Sequence, residues 1–262
     1  MKTGILIGRF QPFHIGHLHS VGVAASQVDK LYILVGSANA CRSIKNPWTF
    51  DERKDMIRSK LWSNHISNVE IVPLNDYPYN DTQWIADVRA TAEHYGMGKP
   101  TLFGHMKEGN DYLRWFPDWK FRDIETPHLV NATSIRQRMF ETDDPALPRT
   151  VHDDFAYYAG EKRAFASYPF PETLNFNCGD AVVECQGHVL LIRRLRAPGA
   201  GAWALPGGFK NSNETFLDCA VRELMEETNI RVPEKVLRGS IVKTELFDSP
   251  KRSFGIPRNT LA

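Results

Sequence analysis

The chain has 262 residues, 42% of them hydrophobic, and is therefore long enough for two domains with a core in each. Its formal net charge of +1 argues against a non-specific binder of nucleic acid or membranes, so any anion binding must come from local groups. The four cysteines show no CxxC or paired spacing, which argues against a zinc or disulfide framework and favours reduced thiols.

The first half of the chain alternates short strand patterns with helical patterns. We predict strands over Ile5–Ile7, Leu31–Val35, Val69–Val72, Thr101–Phe103 and Phe121–Ile124. We predict helices from about residue 14 to 28, from a capping box at Thr49–Glu52 to Leu61, over Trp84–Tyr95 and over Ser134–Phe140. This alternation predicts an α/β fold with a parallel sheet covered on both faces and ligands beyond the carboxyl ends of its strands.

The periodicity of the sequence is broken between about residues 160 and 173. We therefore predict a first domain over residues 1–160, a linker over 161–172 and a second domain over 173–262. In the second domain we predict a β-hairpin over residues 181–192 that turns at Gly187, and a further strand pattern from Val236 to Phe247. No segment is long and apolar enough for a signal peptide or a membrane span, so we expect a soluble cytoplasmic protein.

Residues 8–17 run from the end of the first strand to the start of the first helix. Backbone amides at such a junction can hold phosphate, and the helix dipole favours anions. His14 and His17 lie three residues apart and share a helix face, where each can donate an N–H to triphosphate oxygens. Arg9 adds a fixed cation, and Gly16 lets a nucleotide approach the backbone. The alternative is that the two histidines only cap or pack the helix.

This segment resembles the HxGH signature of the nucleotidyltransferase superfamily. Its wider string, GRFQPFHIGH over residues 8–17, is similar to nicotinamide mononucleotide adenylyltransferases of the archaeal-like type. Residues 131–136 are similar to that family's SSTxxR element: Thr133 and Arg136 match it, whereas Asn131 and Ala132 replace small hydroxyl residues. The resemblance covers roughly residues 1–160 and implies a Rossmann-like nucleotidyltransferase domain.

The resemblance also implies site residues. The implied catalytic residues are Arg9, His14, His17 and Arg136. The implied substrate-binding residues are Gly8, Phe10, Gly16, Asn39, Asn80, Trp84, Lys107, Thr133 and Ser134. Among these, Trp84 would stack on the nicotinamide ring and Lys107 would meet phosphate. Core packing of Trp84, a solvated Lys107 and a plain turn at Asn39 are the alternatives.

The implied reaction is adenylyl transfer from ATP to nicotinamide mononucleotide, which gives NAD and pyrophosphate. Catalysis of such a displacement is mainly alignment and charge stabilisation by cations, amides and Mg²⁺. Transfer to another phosphorylated acceptor, such as phosphopantetheine, is the alternative within enzymes.

A second group of charged residues lies in the C-terminal half. Glu223, Glu226 and Glu227 fall on one helix face at i, i+3 and i+4, and crowded carboxylates of this kind suit Mg²⁺ or Mn²⁺. Arg222 can pair with a carboxylate of the preceding loop and orient the set. A solvated acidic helix face is the alternative.

The same stretch, from Gly208 through Glu214 and Arg222 to Ile230, is identified as a Nudix box, with Asn229 in place of the last glycine. A helix end that requires positive φ accepts Asn second only to Gly. The resemblance implies an α/β/α sandwich that hydrolyses a nucleoside diphosphate linked to another group. It also implies that Glu223, Glu226 and Glu227 are catalytic and that these three and Gly208 hold the metal. Trp203 would pack on a base or on the core.

The two halves together resemble the bifunctional adenylyltransferase–Nudix proteins of bacteria and their phages. This implies ATP, nicotinamide mononucleotide, NAD and ADP-ribose as ligands, with no nucleic-acid or membrane partner. A Nudix domain usually needs more chain than residues 173–262, so the sequence leaves open a shortened chain or a naturally truncated, inactive half. A non-hydrolytic module that senses a dinucleotide is the alternative for this half. The oligomeric state stays open and is compatible with a homo-oligomer.

Overall fold

The computed structural model describes residues 1–77, 80–105, 114–125, 130–170, 173–249, 252 and 254–262. The chain divides into two compact units, Met1–Pro148 and Arg149–Ala262. The predicted boundary at residue 160 lies inside a helix, α5 (Arg149–Ala164), which groups with the second unit. Within the described residues, no helix is long and apolar enough to cross a membrane.

A five-stranded parallel sheet forms the centre of the first unit. Its strands are β1 (Thr3–Gly8), β2 (Lys30–Val35), β3 (Val69–Pro73), β4 (Thr101–Gly104) and β5 (Lys120–Asp123), in the spatial order β3-β2-β1-β4-β5. Every neighbouring pair is parallel, and the longest register runs from Thr3 opposite Lys30 to Gly8 opposite Val35. The order reverses next to β1, which is the Rossmann-like arrangement that the sequence predicts.

Helices cover both faces of this sheet. They are α1 (Ile15–Ala25), α2 (Phe50–Ser63), α3 (Asp81–His94) and α4 (Ala132–Glu141). Along β2, Leu31, Ile33 and Val35 pack in one apolar cluster with α1 and α2, whereas Tyr32 and Leu34 pack in another with α3. A strand that alternates between two buried clusters must have both faces covered. This confirms the predicted two-sided parallel sheet.

The start of α2 confirms the predicted capping box. The Thr49 hydroxyl accepts a hydrogen bond from the Glu52 N–H, and the Glu52 carboxylate accepts one of 2.8 Å from the Thr49 N–H. Each side chain thus satisfies a backbone donor that the first turn of a helix leaves without a partner.

The second unit contains a mixed sheet and two short antiparallel ribbons. The sheet has the order β11-β6-β13-β12, formed by β6 (Phe176–Asp180), β11 (Gly207–Phe209), β12 (Leu246–Phe247) and β13 (Arg258–Leu261). The ribbons are β7 (Glu184–Cys185) with β8 (His188–Val189), and β9 (Ile192–Arg193) with β10 (Trp203–Ala204). Its helices after α5 are α6 (Phe216–Thr228) and α7 (Glu234–Gly239).

Helices α6 and α5 pack on opposite faces of this sheet. Against α6, a Cβ atom at Gly179 would lie 2.8 Å from the Ala220 nitrogen, so only glycine allows the close approach. Phe176, which points to the other face because side chains alternate along a strand, packs on Phe165 just after α5 with 5.3 Å between the ring centroids. The result is the predicted helix–sheet–helix sandwich.

Two predictions for the second unit need correction. The strand pattern from Val236 to Phe247 is wrong, since residues 234–239 form α7 and only Leu246–Phe247 is a strand. No strand was predicted after Phe247, yet β13 lies there and pairs parallel with β6 and antiparallel with β12. Its sequence has no alternating apolar pattern, so its conformation comes from pairing with neighbours rather than from local preference.

The predicted hairpin turn is confirmed. Gln186 and Gly187 both have positive φ, 51° and 77°, as the tight hairpin turn requires. The paired part is shorter than predicted, however, because Ile192 pairs with Ala204 of β10 instead of extending the hairpin.

Candidate active sites

The loop Arg9–His14 leaves β1 at the carboxyl end of the sheet and leads into α1. Gly8 has no room for a side chain, because a Cβ atom there would lie 2.8 Å from the Phe10 ring. Gln11 is buried and exchanges two hydrogen bonds with the Trp48 backbone, of 2.8 and 3.1 Å. These contacts fix the loop that the sequence predicts to bind phosphate.

His14 and His17 lie together at the start of α1. Their rings stack with 3.7 Å between centroids. The backbone N–H of His14 donates to His17 Nδ1 at 3.4 Å. Phe10 and Phe13 pack on the His17 ring. Burial lowers the pKa of His14 and so favours its neutral form. The hydrogen bond from the His14 backbone to His17 caps α1. The Nδ1 atom of His14 is buried and has no hydrogen-bond partner among the described residues.

Arg136 connects α4 to the loop after β1. The buried guanidinium donates to the Gln11 carbonyl and, at 3.3 Å, to the Thr133 hydroxyl. Burial lowers the pKa of Arg136 to about 10, and the charge of Arg9 adds to the effect, so the group stays protonated at neutral pH. Two like charges therefore lie near one loop, an arrangement that a bound anion would stabilise.

Arg53 is a third guanidinium at this loop and was not predicted from the sequence. It is fully buried and donates to the carbonyls of Arg9 at 2.6 Å, Gly36 at 2.7 Å and Ser37 at 3.0 Å. Burial lowers its pKa to about 10, which the charge of Asp76 partly offsets. An arginine in the second turn of a helix gives no sequence signal, because most such arginines face solvent.

The start of α4 preserves its capping despite the departure from the family pattern. Asn131 Oδ1 accepts a 2.8 Å hydrogen bond from the Ser134 N–H, and the Ser134 hydroxyl donates back to the Asn131 carbonyl at 3.2 Å. Thr133 is exposed beside Arg136. The structure thus brings Thr133 and Arg136 to the loop that carries His14, at a helix N-terminus suited to anions.

Asn39 and Asn80 both make local backbone contacts. Asn39 is bonded twice to the Asp76 backbone, at 3.0 and 3.3 Å, and so joins the loops that follow β2 and β3. Asn80 caps α3, because its Oδ1 accepts from the Gln83 N–H at 3.0 Å. Both side chains are exposed, and their roles in binding substrate stay predictions.

Trp84 is half-buried and packs edge-on against Trp115, with 5.9 Å between ring centroids. Trp84 therefore packs against another aromatic side chain, as the packing alternative expects. Its stacking on the nicotinamide ring stays a prediction. Gly16 is buried in the first turn of α1. Lys107 lies outside the described residues.

In the second unit, Arg222 forms the centre of a network of carboxylates. It pairs with both oxygens of Glu214 at 2.7 and 3.0 Å, as predicted for a loop carboxylate. It also donates to Glu223 at 2.7 Å and to Glu226 at 3.3 Å. These Arg222 hydrogen bonds, with one from the Asn211 N–H, lower the pKa of Glu214 to about 2.

Gly208 provides space beside the acidic helix. A Cβ atom there would lie 2.5 Å from Glu223 Oε1, so a side chain would displace this carboxylate. Glu227 accepts a 2.9 Å hydrogen bond from the Gly207 N–H, whereas Glu226 is largely exposed. Among the described residues, no three His, Cys, Asp or Glu side chains form a group that would hold a metal ion. Arg222 binds Glu223 and Glu226, and the Gly207 N–H binds Glu227.

Asp180 is a further carboxylate that lies outside the predicted set. It ends β6 opposite Gly207. Burial raises the pKa of Asp180, and the charges of Glu227 and Glu223 act in the same direction. Carboxylate oxygens such as these are the ligands that a hard divalent cation prefers. Sequence patterns cannot find Asp180, because strand pairing brings it to the Nudix box.

Two residues near the Nudix box can be compared with what the sequence predicts for them. Trp203 is 67% exposed on β10, so the alternative that it packs in the core is wrong. Asn229 ends α6 with φ of 51° and ψ of 31°, the left-handed conformation expected for the residue that replaces the last glycine.

Each half of the chain matches a known protein family. The cytidylyltransferase-like family matches residues 5–137, about half of the chain, and the NUDIX domain family matches residues 179–259. The chain belongs to the cytidylyltransferase-like family and carries a Nudix domain. The two resemblances inferred from the sequence are therefore confirmed.

Relatives cover one or both halves. The nicotinamide/nicotinic acid mononucleotide adenylyltransferase of Acinetobacter baylyi is 34% identical over 146 residues, which are 52% of this chain and 74% of that protein. The nicotinamide-nucleotide adenylyltransferase of Saccharolobus solfataricus is 41% identical over 62% of this chain and 95% of its own length.

A solved structure from Francisella tularensis spans both halves. It is described as a bifunctional NMN adenylyltransferase/ADP ribose pyrophosphatase complexed with AMP and a manganese ion. The similarity covers 99% of this chain and 83% of that chain, at 32% identity and a TM-score of 0.87. The order of the cytidylyltransferase-like and Nudix domains is thus shared with a solved protein over nearly the whole chain.

Replacing Arg222 with Met tests the carboxylate network. A carboxylate whose pKa is depressed stabilises the fold above its ordinary value of 4.5, and this stability is lost as the pH falls towards 2. We expect Arg222→Met to raise the pKa of Glu214 towards 4.5 and to move acid unfolding of the second unit to higher pH. Carbon NMR of the glutamate carboxyl groups measures the pKa, and circular dichroism follows unfolding.

The matched control is Arg238→Met, because Arg238 pairs with Asp218 and Glu234 rather than with Glu214. It should leave the titration of Glu214 unchanged. A Glu214 that still titrates near pH 2 in Arg222→Met would contradict the network.

Proposed function

We propose that the cytidylyltransferase-like domain transfers the adenylyl group of ATP to nicotinamide mononucleotide, and that the Nudix domain hydrolyses ADP-ribose. The observation that carries the first activity is the meeting of Arg136, Thr133 and the histidine pair at the loop after β1. Both activities are supported by the names of the relatives, and the second by the network around Arg222.

In the transferase reaction, an oxygen of the 5′-phosphate of the mononucleotide attacks the α-phosphorus of ATP. A new P–O bond forms to the α-phosphorus and the bond to the β-phosphate breaks, so NAD and pyrophosphate leave. Arg9 and Arg136 balance the negative charge, and His14 and His17 donate N–H groups to the phosphate oxygens. Thr133 and the amides at the start of α4 receive the pyrophosphate. Groups held in place before the reaction act without reorganisation.

The remaining predicted residues of this domain complete the proposed substrate site. Gly8, Phe10 and Gly16 shape the loop and helix start against which ATP lies. Asn39, Asn80, Trp84, Lys107 and Ser134 are assigned to contacts with the two substrates.

In the Nudix domain, Glu223, Glu226, Glu227 and the Gly208 carbonyl would hold Mg²⁺, or Mn²⁺ in its place. When bound, the cation neutralises the diphosphate and favours attack by water. Arg222 orients Glu223 and Glu226 through its hydrogen bonds, and the exposed Trp203 ring offers a stacking surface for a base. Water adds to one phosphorus and the diphosphate bond breaks, giving AMP and ribose phosphate.

His17→Ala tests the transferase proposal. Loss of one positioned donor to the phosphates should lower kcat for NAD formation by about 100-fold or more. The rate is measured from ATP and nicotinamide mononucleotide, and circular dichroism of the variant tests its folding. His19→Ala is the matched control, since His19 is an exposed residue of the same helix. Full NAD formation by His17→Ala would contradict the assigned role.

Glu226→Gln tests the hydrolase proposal. Removing a metal-holding carboxylate should lower AMP release from ADP-ribose by about 100-fold or more and leave NAD formation intact. Glu234→Gln, an exposed change on α7, is the control and should hydrolyse ADP-ribose normally. Unmodified protein that binds ADP-ribose without cleaving it would overturn hydrolysis and favour the sensing alternative.

A further inference from the structure

The loop between β9 and β10 closes on Arg194. The Arg194 N–H donates to the Ala202 carbonyl at 2.9 Å, and the Arg194 carbonyl accepts from the Gly201 N–H at 2.7 Å. Its guanidinium Nε donates to the Pro198 carbonyl at 2.7 Å. Residues 194–202 therefore form a compact loop with one arginine at its base, directly before the exposed Trp203.

This loop is anchored from outside by Asp154 of α5. Asp154 is only 6% exposed, and its Oδ1 accepts a 2.7 Å hydrogen bond from the Gly199 N–H. Gly199 has φ of +77°, a conformation that favours glycine, so the loop presents this N–H in a defined direction. A buried carboxylate is costly unless it is hydrogen-bonded and near a cation, and Asp154 has both Gly199 and Arg194.

The charge of Arg194 reaches two carboxylates. Burial raises the pKa of Asp154 and that of Asp180, and the charge of Arg194 acts to lower both. The charges of Glu227 and Glu223 add to the effect of burial on Asp180. The terminal nitrogens of Arg194 make no hydrogen bond within the described residues. A guanidinium held through Nε, with its other nitrogens available beside a carboxylate group, is suited to the phosphates of a nucleoside diphosphate.

We propose that Asp154 is a positioning residue of the Nudix domain: through the Gly199 N–H it fixes the loop that presents Arg194 to the diphosphate and Trp203 to the base. The proposal rests on the proposed ADP-ribose hydrolysis. Asp154 precedes the residues that match the Nudix family, 179–259, so the substrate site depends on a helix from outside that segment.

The test compares Asp154→Ala with Asp154→Asn. The alanine variant loses the acceptor for the Gly199 N–H, so the KM for ADP-ribose should rise about tenfold while kcat changes less than about twofold. Asparagine keeps an oxygen acceptor at the same place and should restore most of the wild-type KM. Arg194→Met, which leaves the Asp154–Gly199 bond intact, should also raise the KM. A wild-type KM in Asp154→Ala or in Arg194→Met would overturn the proposal.

Asp153→Ala is the matched control, because Asp153 is the preceding residue of α5 and pairs only with the exposed Arg149 among the described residues. Its KM should be that of the wild type. NAD formation, measured on every variant, reports on the folding of the transferase domain.

Hydrogen exchange separates this proposal from the proposed function. Amides of residues 194–202 should exchange faster in Asp154→Ala than in Asp153→Ala, while those of α6 should be unchanged. Unchanged exchange in the loop would overturn the positioning role whether or not the wild-type chain is active. Failure of the wild-type chain to cleave ADP-ribose would overturn the proposed hydrolysis, and the exchange measurement would still decide whether Asp154 holds the loop.

Discussion

Arg53 and Arg136 donate hydrogen bonds to backbone carbonyls of the loop that follows β1, and this fixes positive charge beside the predicted triphosphate site. Both groups are buried, so their charges are costly without an anion nearby. The parallel sheet makes the arrangement possible, because the carboxyl ends of β1 and β2 lie at one edge. The histidine pair lies at the start of α1, directly after this loop.

In the Nudix domain the clustered charges are mainly negative rather than positive. There the Arg222 guanidinium pairs with carboxylates from the loop and from α6, and the absence of a side chain at Gly208 lets Glu223 approach the backbone. In the transferase domain the excess charge is positive and suits a triphosphate. In the Nudix domain the excess charge is negative and suits a divalent cation. The positive charge of one domain thus suits the phosphates of a ligand, and the negative charge of the other suits the metal ion that binds with them.

Much of this could be predicted from the sequence, because the informative signals are local. The alternation of strands and helices, the Thr49 capping box and the left-handed Asn229 each depend on neighbours a few residues away. Features that depend on distant contacts could not be predicted. Strand β13 forms because β6 and β12 pair with it. Asp180 and Arg53 gain their significance from segments far along the chain, and helix α5 groups with the second unit through contacts such as Glu161 with Arg258.

We infer that one chain carries two separate phosphate-handling activities. Phosphorus NMR of the unmodified chain tests it directly, first with ATP, nicotinamide mononucleotide and Mg²⁺, and then with ADP-ribose and Mg²⁺. We expect NAD and pyrophosphate to appear together in the first sample, and AMP with ribose phosphate in the second. No NAD in the first sample would contradict the assignment of the acceptor, and no AMP in the second would contradict hydrolysis by the Nudix domain.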